Sequence, residues 1–183
     1  MSESLNTIFE ALEFAAHKHQ NQRRKGAGGI PYINHPIEVT KLLVTKMPDA
    51  PSALITAAIL HDVLEDTKTS ANEIVERFGK EVLRLVEEVS DDMRLSSATR
   101  KKIQVEKANL LSTQARCIKL ADKTCNIRDM LFTRLLWPRQ RKIDYVLWAI
   151  QVTDQIRSAS DALAAEFDDA VALASEKLNY KFR

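Results

Sequence analysis

The segment AAILHDVLEDT, residues 57–67, places one imidazole and three carboxylates in an otherwise apolar stretch. At about 100° per residue, the four ionisable side chains share an arc of about 140° on one helical face. Three carboxylates on one mostly apolar helix repel one another and lose solvation unless a cation or hydrogen-bond donors compensate. We therefore expect a positive group to bind at this face, which consists of His61, Asp62, Glu65 and Asp66.

Two further segments supply side chains of the types that bind divalent metals. His35 lies in PYINHP, and Asp122 lies in IKLADKTCN. Together with His61 and Asp62 they form a set of imidazoles and carboxylates without thiolates. Such a set suits Mn²⁺, Fe²⁺, Co²⁺ or Zn²⁺ better than Ca²⁺ or copper. The alternative for each residue is a hydrogen-bonded structural role, because single His and Asp residues commonly have one.

A basic loop upstream of His35 contains groups that bind phosphate. The loop RRKGAGGIPYINHP begins with Arg23, Arg24 and Lys25 and contains three of the four glycines of the chain. A glycine-rich loop lets backbone and cationic side chains approach phosphate oxygens, to which arginine donates paired hydrogen bonds. A solubilising surface turn is the alternative for the same residues.

Asn126 lies one helical turn after Asp122, so the two side chains share a face. Asn126 either positions a substrate oxygen or bonds a neighbouring backbone group. Further positive charge lies in RKKIQVEK and LLWPRQRK, at residues 100–107 and 135–142. From this part of the chain we single out Arg141 and Tyr145 as candidate contacts to the phosphates and base of a nucleotide. Exposed helix charge and buried aromatic packing are the alternative.

Helices must position these groups, because apolar residues recur every three or four positions and only four glycines occur. We find no strand pair with a hairpin signal. The pattern predicts an all-α fold that forms a single domain over residues 1–183. Predicted helices cover about residues 4–21, 36–46, 51–65, 70–78, 80–91, 98–110, 114–133, 139–157 and 159–177.

Three helix boundaries have a physical cause in the sequence. Ser70 and Glu73 match a capping box at the start of a helix. Pro36 at a first helical position makes His35 the candidate N-cap. Gly79 fits the C-cap between two successive helices.

Composition excludes several classes of protein. The net charge of +2 and the 45% share of hydrophobic residues indicate a globular domain and argue against a general nucleic-acid binder. The two cysteines, Cys117 and Cys125, indicate neither a zinc-thiolate site nor a disulfide framework, and we expect reduced thiols. The N-terminus is acidic where a signal peptide is basic, and ALITAAIL is too short to span a bilayer. We expect a cytoplasmic protein without a membrane or nucleic-acid partner.

Taken together, these segments resemble the HD-domain superfamily of metal-dependent phosphohydrolases. More narrowly, the chain resembles the hydrolase domain of RelA/SpoT enzymes in its free-standing form, the small alarmone hydrolases that include the metazoan SpoT homologues. The matching stretches span about residues 16–130 in the order of that family. They are AHKHQNQRRKGAGGIPYINHP, AAILHDVLEDT, FGKEVLRLVEEVSDD and IKLADKTCNIRDM.

The resemblance implies an all-helical fold and Mn²⁺-dependent hydrolysis of guanosine 3′,5′-bis(diphosphate), ppGpp, or of pppGpp. The reaction would take place at the 3′ position and release pyrophosphate with GDP or GTP. The implied site has the metal ligands His35, His61, Asp62 and Asp122, the water-handling pair Glu65 and Asp66, the substrate contacts Arg24, Lys25 and Asn126, and the nucleotide-contacting pair Arg141 and Tyr145.

The sequence departs from the long bifunctional enzymes in two ways. Where they usually read ADRLHN, this chain reads ADKTCN, so we expect Thr124 and Cys125 to change the packing beside Asn126. The chain also ends before a synthetase domain would begin. The resemblance therefore implies that it degrades the alarmone and does not make it.

Other activities fit the same residues. Within the superfamily these are hydrolysis of adenosine alarmones, removal of the 2′-phosphate of NADPH, and nucleoside 5′-monophosphatase activity. The loop with Arg24 and Lys25 favours the alarmone group without selecting the purine. A non-catalytic alarmone-binding regulator would not need Glu65 and Asp66, and an RNA-binding module would need a base-stacking aromatic cluster. We expect a small nucleotide as the partner, with the native metal and the oligomeric state left open.

Overall fold

Helices form nearly all of the regular structure in the computed structural model, which describes residues 2–26, 28–133 and 135–182. Within these ranges the only β-type pairing recorded is an isolated bridge between Arg23 and Pro31. The predicted all-α fold is confirmed. None of the described helices is both long and apolar enough to cross a lipid bilayer. The helices are α1 (Ser2–Lys18), α2 (Asn34–Lys46), α3 (Ser52–Leu60), α4 (Val63–Asp66), α5 (Ala71–Val89), α6 (Ser97–Lys107), α7 (Thr113–Phe132), α8 (Arg139–Thr153) and α9 (Asp161–Leu178).

Helices α3 and α7 are the most enclosed elements of the fold. Helix α3 packs against α1, α2 and α5, while α7 packs against α2, α5, α8 and α9. On α3, Ala57 and Leu60 are fully buried, and on α7 the same holds for Ile118, Leu120 and Ile127. Because their apolar residues are shielded on several sides, polar residues on these two helices also lie inside the protein.

The capping box predicted at the start of α5 is confirmed. Ser70 Oγ accepts a hydrogen bond from the backbone N–H of Glu73 at 3.3 Å, and Glu73 Oε2 accepts one from the backbone N–H of Ser70 at 2.8 Å. Gly79 has φ 86° within α5, a left-handed conformation that favours glycine. The backbone of Gly79 is not helical, so α5 is kinked at the boundary predicted between the helices at 70–78 and 80–91.

Replacing Ser70 with Ala should lower the free energy of unfolding by about 1 kcal/mol, because one amide at the start of α5 loses its acceptor. The ion pair between Glu73 and Lys18, at 2.6 Å, does not involve the serine. Urea unfolding measures the effect, and Ser158→Ala, at an exposed position in the short 3-10 helix between α8 and α9, is the control. Equal stability of the two variants would contradict the assigned cap.

The prediction that His35 caps a helix is wrong. Helix α2 begins at Asn34, and its N-cap is Ile33. A turn before the helix satisfies the first amides, since Asn34 N–H bonds Pro31 O at 3.2 Å and His35 N–H bonds Tyr32 O at 2.9 Å. A proline is tolerated in the first turn because the amides there have no partner within the helix. His35 therefore lies inside α2.

The helix predicted over 51–65 is interrupted where its polar residues begin. Helix α3 ends at Leu60, and α4 begins at Val63, so His61 and Asp62 form the junction. Asp62 has φ −100° and ψ −4°, in a sparsely populated backbone region where many active-site residues lie. The expectation of a continuous helical face is therefore corrected, although Asp66 N–H still bonds Asp62 O at 2.9 Å.

Candidate active site

Four side chains from three parts of the chain surround one point inside the protein. The ligating atoms of His35, His61 and Asp62 all lie within 4.8 Å of one another. Asp62 Oδ2 is 3.1 Å from His61 Nε2 and 3.7 Å from His35 Nε2. On the other side, Asp122 Oδ1 is 3.2 Å from His35 Nε2 and 4.0 Å from His61 Nε2. Helix α2, the α3–α4 junction and helix α7 thus bring together the four residues that the sequence assigned to a metal.

The hydrogen bonds of His61 leave one nitrogen available to a cation. His61 Nδ1 lies 2.7 Å from the carbonyl oxygen of Ala58, which can only accept, so Nδ1 carries the proton. Nε2 is buried and has no hydrogen-bond partner among the residues that the structure describes. An imidazole held in this way at its outer nitrogen is the usual arrangement of a metal ligand. The four residues fit a divalent cation.

Electrostatics at His61 also favours a positive charge. Burial by itself lowers the pKa of the imidazole, but attraction to Asp62 and Asp122 raises it to about 9. The two carboxylates are therefore strong enough to overcome the loss of solvation at this position. The same two carboxylates would attract a bound cation, as the carboxylate-rich segment of the sequence predicts.

Asp122 is held in its ionised form by its own helix. Its Oδ2 accepts a hydrogen bond from Lys123 Nζ at 3.0 Å, and its Oδ1 accepts one from the side-chain amide of Asn126. Although burial raises it, the Lys123 ammonium holds the pKa of Asp122 well below its usual value. Asn126 therefore acts directly on a candidate metal ligand.

Glu65 and Asp66 follow the junction on α4 and line the same cavity as the four ligands. Glu65 Oε2 accepts a hydrogen bond from the backbone N–H of Asp91 at 3.0 Å. Burial raises the pKa of Glu65 above its ordinary value. The backbone carbonyl of Asp66 accepts a hydrogen bond from the side chain of Gln22, which ties α4 to the loop that follows α1. In Glu65 the side-chain carboxylate accepts the hydrogen bond, whereas in Asp66 the backbone carbonyl does.

A cavity of about 320 Å³ opens onto the ligand cluster. Its walls combine positive charge with aromatic rings, which suits an anionic ligand that carries a planar base. Two of the lysines, Lys119 and Lys123, are buried. The cationic lining consists of Lys25, Arg100, Lys101, Lys119, Lys123 and Arg141, and the aromatic lining of Tyr32, Trp137, Tyr145 and Trp148.

Arg24 ties the basic loop to α7. Its Nε and Nη2 donate to Asp129 Oδ2 at 2.9 Å and 2.6 Å, and Nη2 also donates to Asn126 Oδ1 at 3.0 Å. Arg24 lines a neighbouring cavity of about 310 Å³, whereas Lys25 lines both this cavity and the one that contains the ligand cluster. The structure therefore gives Arg24 a bridging role. Direct contact of either residue with a substrate stays a prediction.

The two residues singled out on α8 lie in the aromatic part of the cavity wall. The guanidinium of Arg141 lies 4.1 Å from the centre of the Trp137 ring. Tyr145 lies between two indoles, 6.0 Å from Trp137 and 5.4 Å from Trp148 between ring centres. This placement is compatible with a nucleotide contact, which stays a prediction.

Several residues of the cavity wall were not singled out by the sequence. On α7, Lys119 lies one turn before Asp122, and this spacing is the signal that was available. On α6, Lys101 Nζ lies 4.9 Å from the Trp148 ring centre. Nothing in the sequence indicates that α6 and α8 fold over the same end of α7, so Lys101 and Trp148 could not be paired from spacing.

Comparison with known proteins agrees with this geometry. The family model described as the HD domain matches residues 11–147. The chain belongs to the HD-domain family. Over 157 residues it is 44% identical to the guanosine-3′,5′-bis(diphosphate) 3′-pyrophosphohydrolase MESH1 of Mus musculus, a match that covers 85% of this chain and 88% of that protein. It is 40% identical over 163 residues to MESH1 of Drosophila melanogaster, covering 88% of this chain and 91% of that protein.

A solved structure shares the arrangement of helices along most of the chain. It is described in the words "A metazoan ortholog of SpoT hydrolyzes ppGpp and plays a role in starvation responses". The two superpose with a TM-score of 0.88 at 38% identity, covering 91% of this chain and 94% of that one. The resemblance to the HD-domain superfamily and to the metazoan SpoT homologues is confirmed.

Proposed function

We propose that this chain is a metal-dependent 3′-pyrophosphohydrolase that acts on ppGpp and pppGpp. The products are pyrophosphate and GDP or GTP. One observation carries this proposal: the convergence of His35, His61, Asp62 and Asp122 beside a cavity lined by cations. The printed activity of the MESH1 relatives supports the choice of substrate.

We propose Mn²⁺ as the cofactor, held by these two imidazoles and two carboxylates. The mixture of nitrogen and oxygen ligands suits this ion. A divalent ion bound there would supply Lewis acidity to a phosphoryl oxygen and lower the pKa of a bound water toward neutrality. The four residues contribute position and charge, since Asn126 and Lys123 hold Asp122 and Ala58 holds His61.

The acids of α4 handle the attacking water. Water attacks the phosphorus bonded to the ribose 3′-oxygen, and the bond between this phosphorus and the 3′-oxygen breaks. The 3′-oxygen leaves with the nucleotide and takes up a proton. Glu65 is the better placed base, because the amide of Asp91 fixes its carboxylate and burial raises its pKa toward the working range of a base. Asp66 lies beside it and orients the water.

The cationic wall stabilises the charge that builds up on the phosphoryl oxygens. Lys119 projects into the cavity from the same helix as Asp122, and Lys25 does so from the basic loop. At the aromatic end, Arg141 and Tyr145 contact the nucleoside, where Tyr145 lies between two indole rings. Phosphates and base thus have separate parts of one cavity.

We propose that residues 1–183 form one HD-type domain, since α8 and α9 pack on α7 and extend the matched region. We also propose a cytoplasmic location. Its support is that Cys117 and Cys125 are both free and buried thiols, as expected in a reducing compartment.

The test of the activity compares the metal-free and the Mn²⁺-loaded chain on ppGpp, ppApp and NADPH. We expect pyrophosphate from ppGpp with Mn²⁺ only, loss of activity after EDTA, and recovery when Mn²⁺ is returned, because the ligand cluster is incomplete without the ion. Chromatography of the products identifies the bond that is cleaved, and Mg²⁺, Co²⁺ and Zn²⁺ in place of Mn²⁺ test the choice of metal.

Two results would change the proposed activity. Orthophosphate from NADPH as the dominant product would favour a 2′-phosphatase. Faster release of pyrophosphate from ppApp than from ppGpp would favour an adenosine alarmone as the substrate.

A further inference from the structure

The loop between α1 and α2 brings a phenol into contact with the ligand cluster. Tyr32 donates a hydrogen bond from its hydroxyl to Asp62 Oδ2 at 2.7 Å. The same oxygen lies 3.1 Å from His61 Nε2 and 3.7 Å from His35 Nε2. Because an ionised carboxylate only accepts hydrogen bonds, the phenol is the donor and is not itself a ligand. Tyr32 therefore acts on the oxygen of Asp62 that faces the centre of the cluster.

Packing around the ring fixes the direction of this hydroxyl. The ring of His19 is stacked on it, with centres 4.8 Å apart and planes at 29°. The guanidinium of Arg24 lies 5.6 Å from the ring centre, and the ring of His35 approaches edge-on at 6.1 Å. His19 is itself 2% exposed and paired through Nδ1 to Gln22 Oε1 at 2.6 Å. The phenol has little freedom to rotate away from Asp62.

Backbone hydrogen bonds also fix the position of Tyr32. Tyr32 N–H bonds Gln22 O at 3.1 Å, and Arg24 N–H bonds Ile30 O at 2.9 Å. These two bonds tie the backbone at residues 22 and 24 to residues 30 and 32, which keeps Arg24 beside the ring of Tyr32.

We infer that Tyr32 is a positioning residue whose hydroxyl orients the Asp62 carboxylate toward the divalent cation. A hydrogen bond to one lone pair of Oδ2 restrains rotation of the carboxylate and would leave its other lone pair available to a cation. Groups that orient a metal ligand in this way typically account for about 10-fold to 100-fold in metal affinity or activity. The inference depends on the metal site of the proposed function and not on the identity of the nucleotide.

Two other roles for Tyr32 predict different measurements. The residue lines the cavity, so a direct contact with the substrate would raise KM and leave the affinity for the metal unchanged. A purely structural role would lower the melting temperature and leave both constants unchanged. A positioning role weakens the binding of the metal in the absence of any nucleotide.

The test is the Tyr32→Phe variant, which keeps the ring and its stacking and removes only the hydroxyl. Calorimetric titration of the metal-free chain with Mn²⁺ should show a Kd about 10-fold to 100-fold higher than in the parent chain. At saturating Mn²⁺ the KM for ppGpp should be unchanged. The matched control is Tyr180→Phe, a tyrosine at the far end of the chain that packs on Phe182 with ring centres 4.9 Å apart.

His61→Ala, which removes a ligand, should abolish the same titration and so identify the site being measured. An unchanged Kd in Tyr32→Phe, whether or not KM or the melting temperature changes, would overturn the inference. Because the titration contains no nucleotide, a higher Kd for Mn²⁺ in Tyr32→Phe would support the inference even if ppGpp proved not to be the substrate. The two proposals can therefore fail independently.

Discussion

Replacing Asp62 with Ala is expected to lower kcat for ppGpp by roughly 1,000-fold or more, since the Lewis acidity of a bound metal is worth several kcal/mol. Asp62 Oδ2 lies near both imidazoles, at 3.1 Å from His61 Nε2 and 3.7 Å from His35 Nε2. Its loss removes one ligand, leaves Tyr32 without its acceptor, and reduces the attraction that concentrates a cation at His61. Steady-state assays at saturating Mn²⁺ measure the effect, with the bound metal determined on the same sample.

Two further variants separate this effect from a general loss of structure. Asp62→Asn keeps the shape of the side chain and an oxygen that can accept from Tyr32, so it should fold normally and still lose most of its activity. Asp49→Ala removes an exposed carboxylate outside the cavity and should leave kcat unchanged. Normal turnover by Asp62→Ala under controlled metal would mean that the four-residue cluster is not the reaction centre.

The periodicity of the sequence predicted most of the helices because it records which faces are buried. Residues 98–110, 114–133 and 139–157 were assigned to helices, and α6, α7 and α8 lie within or almost within those ranges. The capping box at Ser70 was predictable for a different reason, since all of its atoms belong to one short segment. Local patterns are read reliably where the physical cause is local.

The two errors in helix boundaries have different causes. The turn at Pro31 lets α2 begin before His35, and no propensity at position 35 reports that turn. At the junction of His61 and Asp62, by contrast, the side chains lie near His35 of α2 and Asp122 of α7. Periodicity assumes a continuous helix, so it could not show that α3 ends at Leu60.

The convergence of the ligands was predictable only in part. Residue types suggested a metal, but by spacing alone His35 and Asp122 had no reason to meet His61. Tyr32 is a clearer case, because a tyrosine in a glycine-rich loop looks like any exposed aromatic. Its hydrogen bond reaches Asp62 at the α3–α4 junction, 30 positions along the chain, and that contact exists only in the folded chain.

Two buried lysines of α7 differ in how neighbouring charges change their pKa. Lys123 is buried against Asp122 at 3.0 Å, and attraction to this carboxylate raises its pKa despite the burial. For Lys119, burial lowers the pKa and the repulsion from Lys123 adds to this effect. The charge of Lys123 is thus paired with Asp122, whereas Lys119 lines the cavity with its charge less well compensated.

Replacing Glu65 with Gln is expected to lower kcat by about 100-fold to 10,000-fold, the usual contribution of a positioned general base. The glutamine oxygen can still accept from the backbone N–H of Asp91, so the contact between α4 and the α5–α6 loop is kept. The variant therefore removes the proton acceptor with little change in structure. Asp66→Asn is the matched comparison on the next residue, and its loss should be smaller because orientation of the water is retained in part.

The pH dependence of kcat distinguishes the two acids. A base must be deprotonated to act, and burial raises the pKa of Glu65, so activity should rise with pH through a pKa above that of an ordinary glutamate. Below that pKa the carboxyl group is protonated and turnover falls. Glu65→Gln should lose this acidic limb, whereas Asp66→Asn should keep it. If the limb disappears in Asp66→Asn and persists in Glu65→Gln, then Asp66 is the base and Glu65 the residue that orients the water.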